Sequence, residues 1–168
     1  DKILQSVAAQ TQNIILVGMP GCGKTTVGTA IAQKLNRKFV DSDAVIEANA
    51  GMTIPEIFSR GGEKQFRELE TKVLADLGKE SNLVIATGGG CVTQERNYPH
   101  LHQNSLIVWL QRELDKLPTD GRPLSQTTAL DDMYARRKPL YSDWSDVTLD
   151  NNSPPELAVD ALWQIIAK

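Results

Sequence analysis

Eight consecutive residues, Gly18-Met19-Pro20-Gly21-Cys22-Gly23-Lys24-Thr25, have the types and spacing of a phosphate cradle. Every fixed position of G-x-x-x-x-G-K-[ST] is matched. Glycines let the backbone curl so that successive N–H groups point inward at an anion. Lys24 has the reach for β- and γ-phosphates, and the Thr25 hydroxyl suits Mg²⁺. A second set follows the apolar pair Phe39-Val40. In extended backbone, residues two apart point to one side, so Asp41 and Asp43 can both face the γ-phosphate. One carboxylate would hold magnesium or its water shell; the other would accept a proton from an attacking hydroxyl. Asp43 also suits the N-cap of a helix starting at Ala44. The run Thr87-Gly88-Gly89-Gly90 offers N–H donors and room for a substrate against bare backbone. A flexible loop is its plainer reading.

Three arginines are candidates for anion contacts. Arg67 lies between Glu63 and Glu70 at helical spacing, which locally reads as a surface salt-bridge ladder. Arg122 lies in a polar segment, Pro118 to Thr128, that reads as a mobile loop able to close over phosphates. Arg137 has Arg136 and Lys138 beside it near a helix end. Local sequence does not choose which of the three points inward. The two cysteines, Cys22 and Cys91, make neither a disulfide framework nor a metal site and fit a reducing compartment. Cys22 is a candidate for a lowered thiol pKa, beside a helix N-terminus and cations, with an inert buried thiol as the alternative.

Elements in a fixed order must hold these groups. The motif needs a strand before it and a helix after it, and Asn13–Val17 and Lys24–Leu35 supply them. Further apolar runs predict strands at Lys38–Val40, Leu83–Ala86, Leu106–Leu110 and Asp146–Leu149. Helical periodicity is expected at Ala44–Asn49, Ile54–Arg60, Glu63–Lys79, Gln94–Gln103, Ala129–Arg137 and Pro155–Ala167. In the last of these, Leu157, Ala161, Leu162, Ile165 and Ile166 are expected to face the sheet. Alternation of this kind implies an α/β fold with a largely parallel sheet, and ligands beyond the carboxyl ends of its strands.

The bulk figures exclude several classes. At 168 residues, 40% hydrophobic and 23% charged, the chain reads as one soluble domain. A net charge of −3 gives no basic surface for nucleic acid, and no apolar run nears the roughly 18 residues of a membrane span. The third strand lacks the terminal acidic residue of motor ATPases, and no guanine-specifying Asn-Lys-x-Asp occurs. Residues 1–12, with Ile3, Leu4 and Val7 at helical spacing, read as a lead-in helix or linker to a domain at 13–168. The start at Asp1 leaves open a trimmed chain or one domain of a fused pathway enzyme.

The ordered set of motifs resembles the shikimate kinase family. It comprises Gly18–Thr25, Phe39-Val40-Asp41-Ser42-Asp43, Gly62-Glu63 with Phe66-Arg67-Glu68-Leu69-Glu70, Thr87-Gly88-Gly89-Gly90, Arg122-Pro123-Leu124, and Arg137-Lys138-Pro139-Leu140-Tyr141. The resemblance implies a P-loop, nucleoside-monophosphate-kinase-like three-layer α/β fold with a five-stranded parallel sheet. It implies phosphorylation of the 3-hydroxyl of shikimate by ATP, with Mg²⁺, in aromatic amino-acid biosynthesis. Asp43 would then be the candidate base, assisted by Lys24 and Arg122. Shikimate would meet Asp43, Arg67, Gly88, Gly89, Gly90 and Arg137, the two arginines clamping its carboxylate. ATP would meet Gly21, Cys22, Gly23, Lys24, Thr25, Thr26, Arg122 and Asn152, and the metal Thr25 and Asp41. Glu70 would fix the Arg67 rotamer, and Ile54, Phe58 and Phe66 would wall the pocket or join the core. The lid is expected at about 111–128, and the stretch from Leu110 to Arg122 is shorter than usual for the family, leaving Arg112, Lys116 or no residue as the adenine-side cation. The implied protein is cytoplasmic and acts as a monomer or as one domain of a fusion, with no nucleic-acid or membrane partner.

Overall fold

The computed structural model describes residues 12–113 and 124–166, with side chains in the second stretch described from 129 onward. Five strands, β1 (Asn13–Val17), β2 (Lys38–Asp41), β3 (Leu83–Ala86), β4 (Ser105–Gln111) and β5 (Val147–Asp150), form one sheet in the order β2-β3-β1-β4-β5. Every pairing is parallel. β1 and β3 are buried at every residue, so both faces are covered, as expected of unbroken apolar strands in a parallel sheet. The expected α/β fold with five parallel strands is what forms, with strand ends moved by at most a residue or two.

Among the described residues, six α-helices connect and cover the strands: α1 (Lys24–Leu35), α2 (Ser42–Ala50), α3 (Ile54–Gly78), α4 (Asn97–His102), α5 (Leu124–Trp144) and α6 (Pro155–Ile166). α1 buries Val27, Gly28 and Ile31; a Cβ at Gly28 would stand 2.7 Å from the Phe39 ring, so the helix lies close on the sheet. The two helices expected at Ile54–Arg60 and Glu63–Lys79 form as the two halves of α3, separated by a kink at Gly62, whose φ of 74° suits glycine. Thr53 caps its start by accepting from the Glu56 N–H at 3.3 Å.

Three expectations need correction. The helix expected at Gln94–Gln103 is a 3-10 turn at Cys91–Thr93 followed by the short α4. α5 continues through Pro139, because Tyr141 and Trp144 beyond the proline are buried in the core and hold the chain there. On α6 the buried residues are Ala158, Val159 and Leu162, while Leu157 is 59% and Ile165 40% exposed. Its inward face is rotated from the expected stripe because α6 also packs on α1. The lead-in through residue 11, most of the expected lid including Lys116 and Arg122, and residues 167–168 lie outside the described residues. No helix among the described residues is long and apolar enough to cross a membrane.

Candidate active site

The chemistry-bearing loops meet at the carboxyl ends of β1, β2 and β3. Pro20, Gly21, Lys24, Thr25, Asp41, Asp43, Thr87, Gly88 and Gly89 line a cleft of about 260 Å³. The cradle depends on glycine: Gly18, Gly21 and Gly23 all have positive φ. A Cβ at Gly23 would also collide with the Asn151 carboxamide. Lys24 is almost buried and folds onto its own loop, donating to the carbonyls of Gly18 at 2.7 Å and Met19 at 3.0 Å. Thr25 and Thr26 are exposed on the first turn of α1, where the helix N-terminus favours an anion.

The two aspartates do not sit as extended backbone would place them. Asp41 ends β2 and caps α2, its carboxylate accepting from the Asp43 N–H at 2.9 Å. Asp43 lies within the first turn, since the helix begins at Ser42 and not at Ala44. Asp41 is therefore the cap, and Asp43 is released from that role. Asp43 Oδ1 is buried with no hydrogen-bond partner among the described residues. Burial, then the charge of Asp41, raises its pKa, with Lys24 opposing. A raised carboxyl that is still ionised is a better proton acceptor than an ordinary aspartate.

Arg67 is 8% exposed, which removes the surface-ladder reading although both glutamates are in contact. Its guanidinium donates to Glu70 at 2.9 Å and to Glu63 at 3.4 Å, and it lies 5.1 Å from the Phe66 ring centre. Glu70 is wholly buried; burial raises its pKa and the Arg67 charge opposes that rise. Phe66 joins the core and Phe58, 38% exposed, packs on it, while Ile54 is half-buried. Arg137 faces the site: a Cβ at Gly90 would collide with Nη2 of Arg67 and lie 2.9 Å from Nη2 of Arg137. A Cβ at Gly88 would stand 2.8 Å from Asp43 Oδ1 and 3.1 Å from Glu70 Oε2. The glycine run thus has two guanidinium groups at one end and two carboxyl groups, Asp43 and the Arg67-bonded Glu70, at the other.

Some positions escaped the sequence reading. The Tyr141 hydroxyl donates to the Gly89 carbonyl at 2.5 Å, and burial keeps that phenol protonated by raising its pKa. Asn151 is buried beneath the cradle, donating to the Cys22 carbonyl at 2.8 Å. Asn152 instead accepts from the Glu113 N–H at 2.6 Å, joining the exits of β4 and β5. A polar residue at a strand exit is the local signal for Asn151; Tyr141 has its place at the end of Arg137-Lys138-Pro139-Leu140-Tyr141, which carries no hint of its bond to Gly89. Both cysteines are free and buried. Burial pushes the Cys22 thiol up despite Lys24, and Cys91 up to about 12, so the low-pKa reading of Cys22 is overturned.

Magnesium can be tested against these donors. No group of three or more His, Cys, Asp or Glu among the described residues could hold a metal. Thr25 and Asp41, both lining the cleft, supply hard oxygens. That partial set fits Mg²⁺, which keeps waters and takes one or two protein ligands plus substrate phosphates.

A shikimate kinase family model matches residues 20–167. The chain belongs to the shikimate kinase family. Its relatives include the shikimate kinase of Parasynechococcus marenigrum (strain WH8102), 44% identical over 166 residues, covering 92% of this chain and 86% of the relative. That of Synechococcus sp. (strain CC9605) is 42% identical over 165 residues, covering 92% and 82%. Among solved structures, shikimate kinase from Acinetobacter baumannii in complex with shikimate has a TM-score of 0.86 and 39% identity, covering 96% of this chain and 97% of its own. As a shikimate kinase the chain is an enzyme that uses ATP to phosphorylate shikimate in aromatic amino-acid biosynthesis.

Proposed function

We propose that the cleft transfers the γ-phosphoryl group of ATP to the 3-hydroxyl of shikimate, with Asp43 accepting the hydroxyl proton. One observation carries the assignment of residues. The Gly88–Gly90 backbone has Asp43 Oδ1 at one end and the guanidinium groups of Arg67 and Arg137 at the other. A carboxylated polyol fits between them: its carboxylate takes planar two-point contacts from the arginines, and a ring hydroxyl is presented to Asp43. Gly89 supplies a backbone donor to the substrate. Shikimate, the partner of the Acinetobacter baumannii enzyme in its complex, is such a molecule.

On the nucleotide side, the N–H groups from Gly21 to Thr26 receive the phosphates at the head of α1. Lys24 exchanges its loop carbonyls for phosphate oxygens, Asn152 borders the adenine side, and Arg122 reaches the transferring group. Thr25 and Asp41 would hold Mg²⁺, which when bound neutralises charge on the phosphates. Catalysis here consists of positioning and charge neutralisation. The proposed enzyme acts as a monomer or as one domain of a fusion, and its two free buried thiols suit a reducing cytoplasm.

The test is ADP release from Mg·ATP with and without shikimate, with Asp43→Asn alongside. Shikimate-dependent release in the wild type, lowered at least 100-fold in the variant, is the expected result, at the lower end of general-base contributions of about 10²–10⁴. Turnover undiminished in Asp43→Asn would remove Asp43 from the chemistry. Release that ignores shikimate would remove shikimate as the acceptor.

A further inference from the structure

Asn97 begins α4 outside the cleft and is completely buried. Both ends of its carboxamide are used. Nδ2 donates to the Cys91 carbonyl at 2.9 Å, and Oδ1 accepts from the Thr71 hydroxyl at 2.7 Å. A carbonyl can only accept, so the amide nitrogen must face Cys91 and its oxygen Thr71. The Thr71 oxygen accepts in turn from Arg96 Nε at 3.1 Å.

The two ends belong to two walls of the substrate pocket. Thr71 follows Glu70 on α3, one turn beyond Arg67. Cys91 directly follows Gly90, and its N–H donates to the Gly88 carbonyl at 3.2 Å. Three glycines in a row have no side chains with which to anchor themselves, and ordering them is entropically expensive. Their shape is imposed by neighbours: Tyr141 holds the Gly89 carbonyl, Thr93 the Gly90 carbonyl at 2.6 Å, and Asn97 the exit at Cys91.

We propose that Asn97 is a positioning residue for the acceptor substrate, its carboxamide setting the separation between the Arg67 helix and the Gly88–Gly90 backbone. The inference rests on the substrate contacts proposed above for those residues. The nucleotide side is tied differently, through Lys24 to Gly18 and Met19 and through Asn151 to Cys22. Loss of the Asn97 bridge therefore acts on shikimate and spares ATP.

Two variants test this. Asn97→Leu keeps the volume and removes both bonds; Thr71→Val removes the α3 end of the bridge together with the exposed Arg96 contact and leaves the Cys91 end in place. Each is measured for the KM of both substrates and for kcat, and for amide hydrogen exchange across residues 88–93 without substrate. The expected result for Asn97→Leu is a shikimate KM raised about tenfold, equivalent to about 1.4 kcal/mol, with the ATP KM within about twofold. Exchange at 88–93 accelerates while the core strands stay protected. Thr71→Val moves both readouts in the same direction by less, and it carries the test should Asn97→Leu fail to fold. A rise in both KM values together, or unchanged exchange at 88–93, would overturn the inference. Failure of the wild type to use shikimate would instead sink the functional reading, and substrate-free exchange would still decide whether Asn97 holds the glycine run.

Discussion

Arg67 and Glu70 show how a single residue's environment decides its role. Both are buried, and each is the other's main compensation. Arg67→Ala should weaken shikimate binding by about 2–5 kcal/mol, the range for truncating one partner of a buried charge pair. Direct titration of the variant with shikimate checks this, and an unchanged Kd would take Arg67 out of the clamp. Glu70 also gives a pH signature. Its folded pKa is raised by burial, so the stability tied to its protonated form is complete below the ordinary glutamate value and is lost as pH rises through the folded value. The unfolding free energy of wild type minus that of Glu70→Gln should therefore fall as pH rises above the ordinary glutamate value. A difference that rises there would mean that Arg67 outweighs burial. The types and order of Lys24, Thr25, Asp41, Asp43 and Arg67 were legible in the sequence; their conformations were less so. The extended-strand argument for the aspartates failed because Asp41 bonds the Asp43 amide and starts a helix one residue after the strand. Tyr141, Asn151 and Asn97 act on Gly89, Cys22 and Cys91, and only folding shows the first two of those partnerships, which are distant in sequence.

At the scale of elements, two helices meet without room for a methyl group. A Cβ at Gly78, in the last turn of α3, would collide with the His100 carbonyl of α4, which is backbone and cannot rotate away. Gly78→Ala should destabilise by about 1–3 kcal/mol through overpacking, although alanine is the better helix former. A urea midpoint that rises in the variant would show that α4 yields freely. The same pair of elements carries Thr71 and Asn97, so the contact also bears on the spacing of the pocket walls. Elements were the most legible level. β1, β3 and β4 are continuous apolar runs because parallel strands are buried on both faces, and such runs stand out in a sequence. The end of α5 was not legible, since Pro139 signals a stop locally and the burial of Tyr141 and Trp144 overrides it. The orientation of α6 was hidden for a related reason: its apolar residues nearly encircle it, and α1 decides which of them are covered.

For the whole molecule, nucleotide binding and folding are linked through the cradle. A ligand at one hundred times its Kd adds about 2.7 kcal/mol of stability to the form that binds it. Mg·ATP should raise the Tm of the wild type, and Lys24→Met should abolish most of that rise. Equal shifts in both proteins would show that the nucleotide does not engage Lys24. The strand order has a separate consequence, for how the chain comes together. β1 is made first and lies at the centre, yet its partners come much later: Ile14 pairs with Val84 on one side and Leu106 on the other. No hairpin can seed such a sheet, because every pairing closes a long stretch of chain before it gains a hydrogen bond. During synthesis the apolar segment Ile14-Ile15-Leu16-Val17 therefore waits, unpaired, until β3 has been made. It is the segment most exposed to mispairing with another copy. The loop that binds phosphate is translated ahead of β3 and β4, the strands that must flank β1 before the loop acquires its shape.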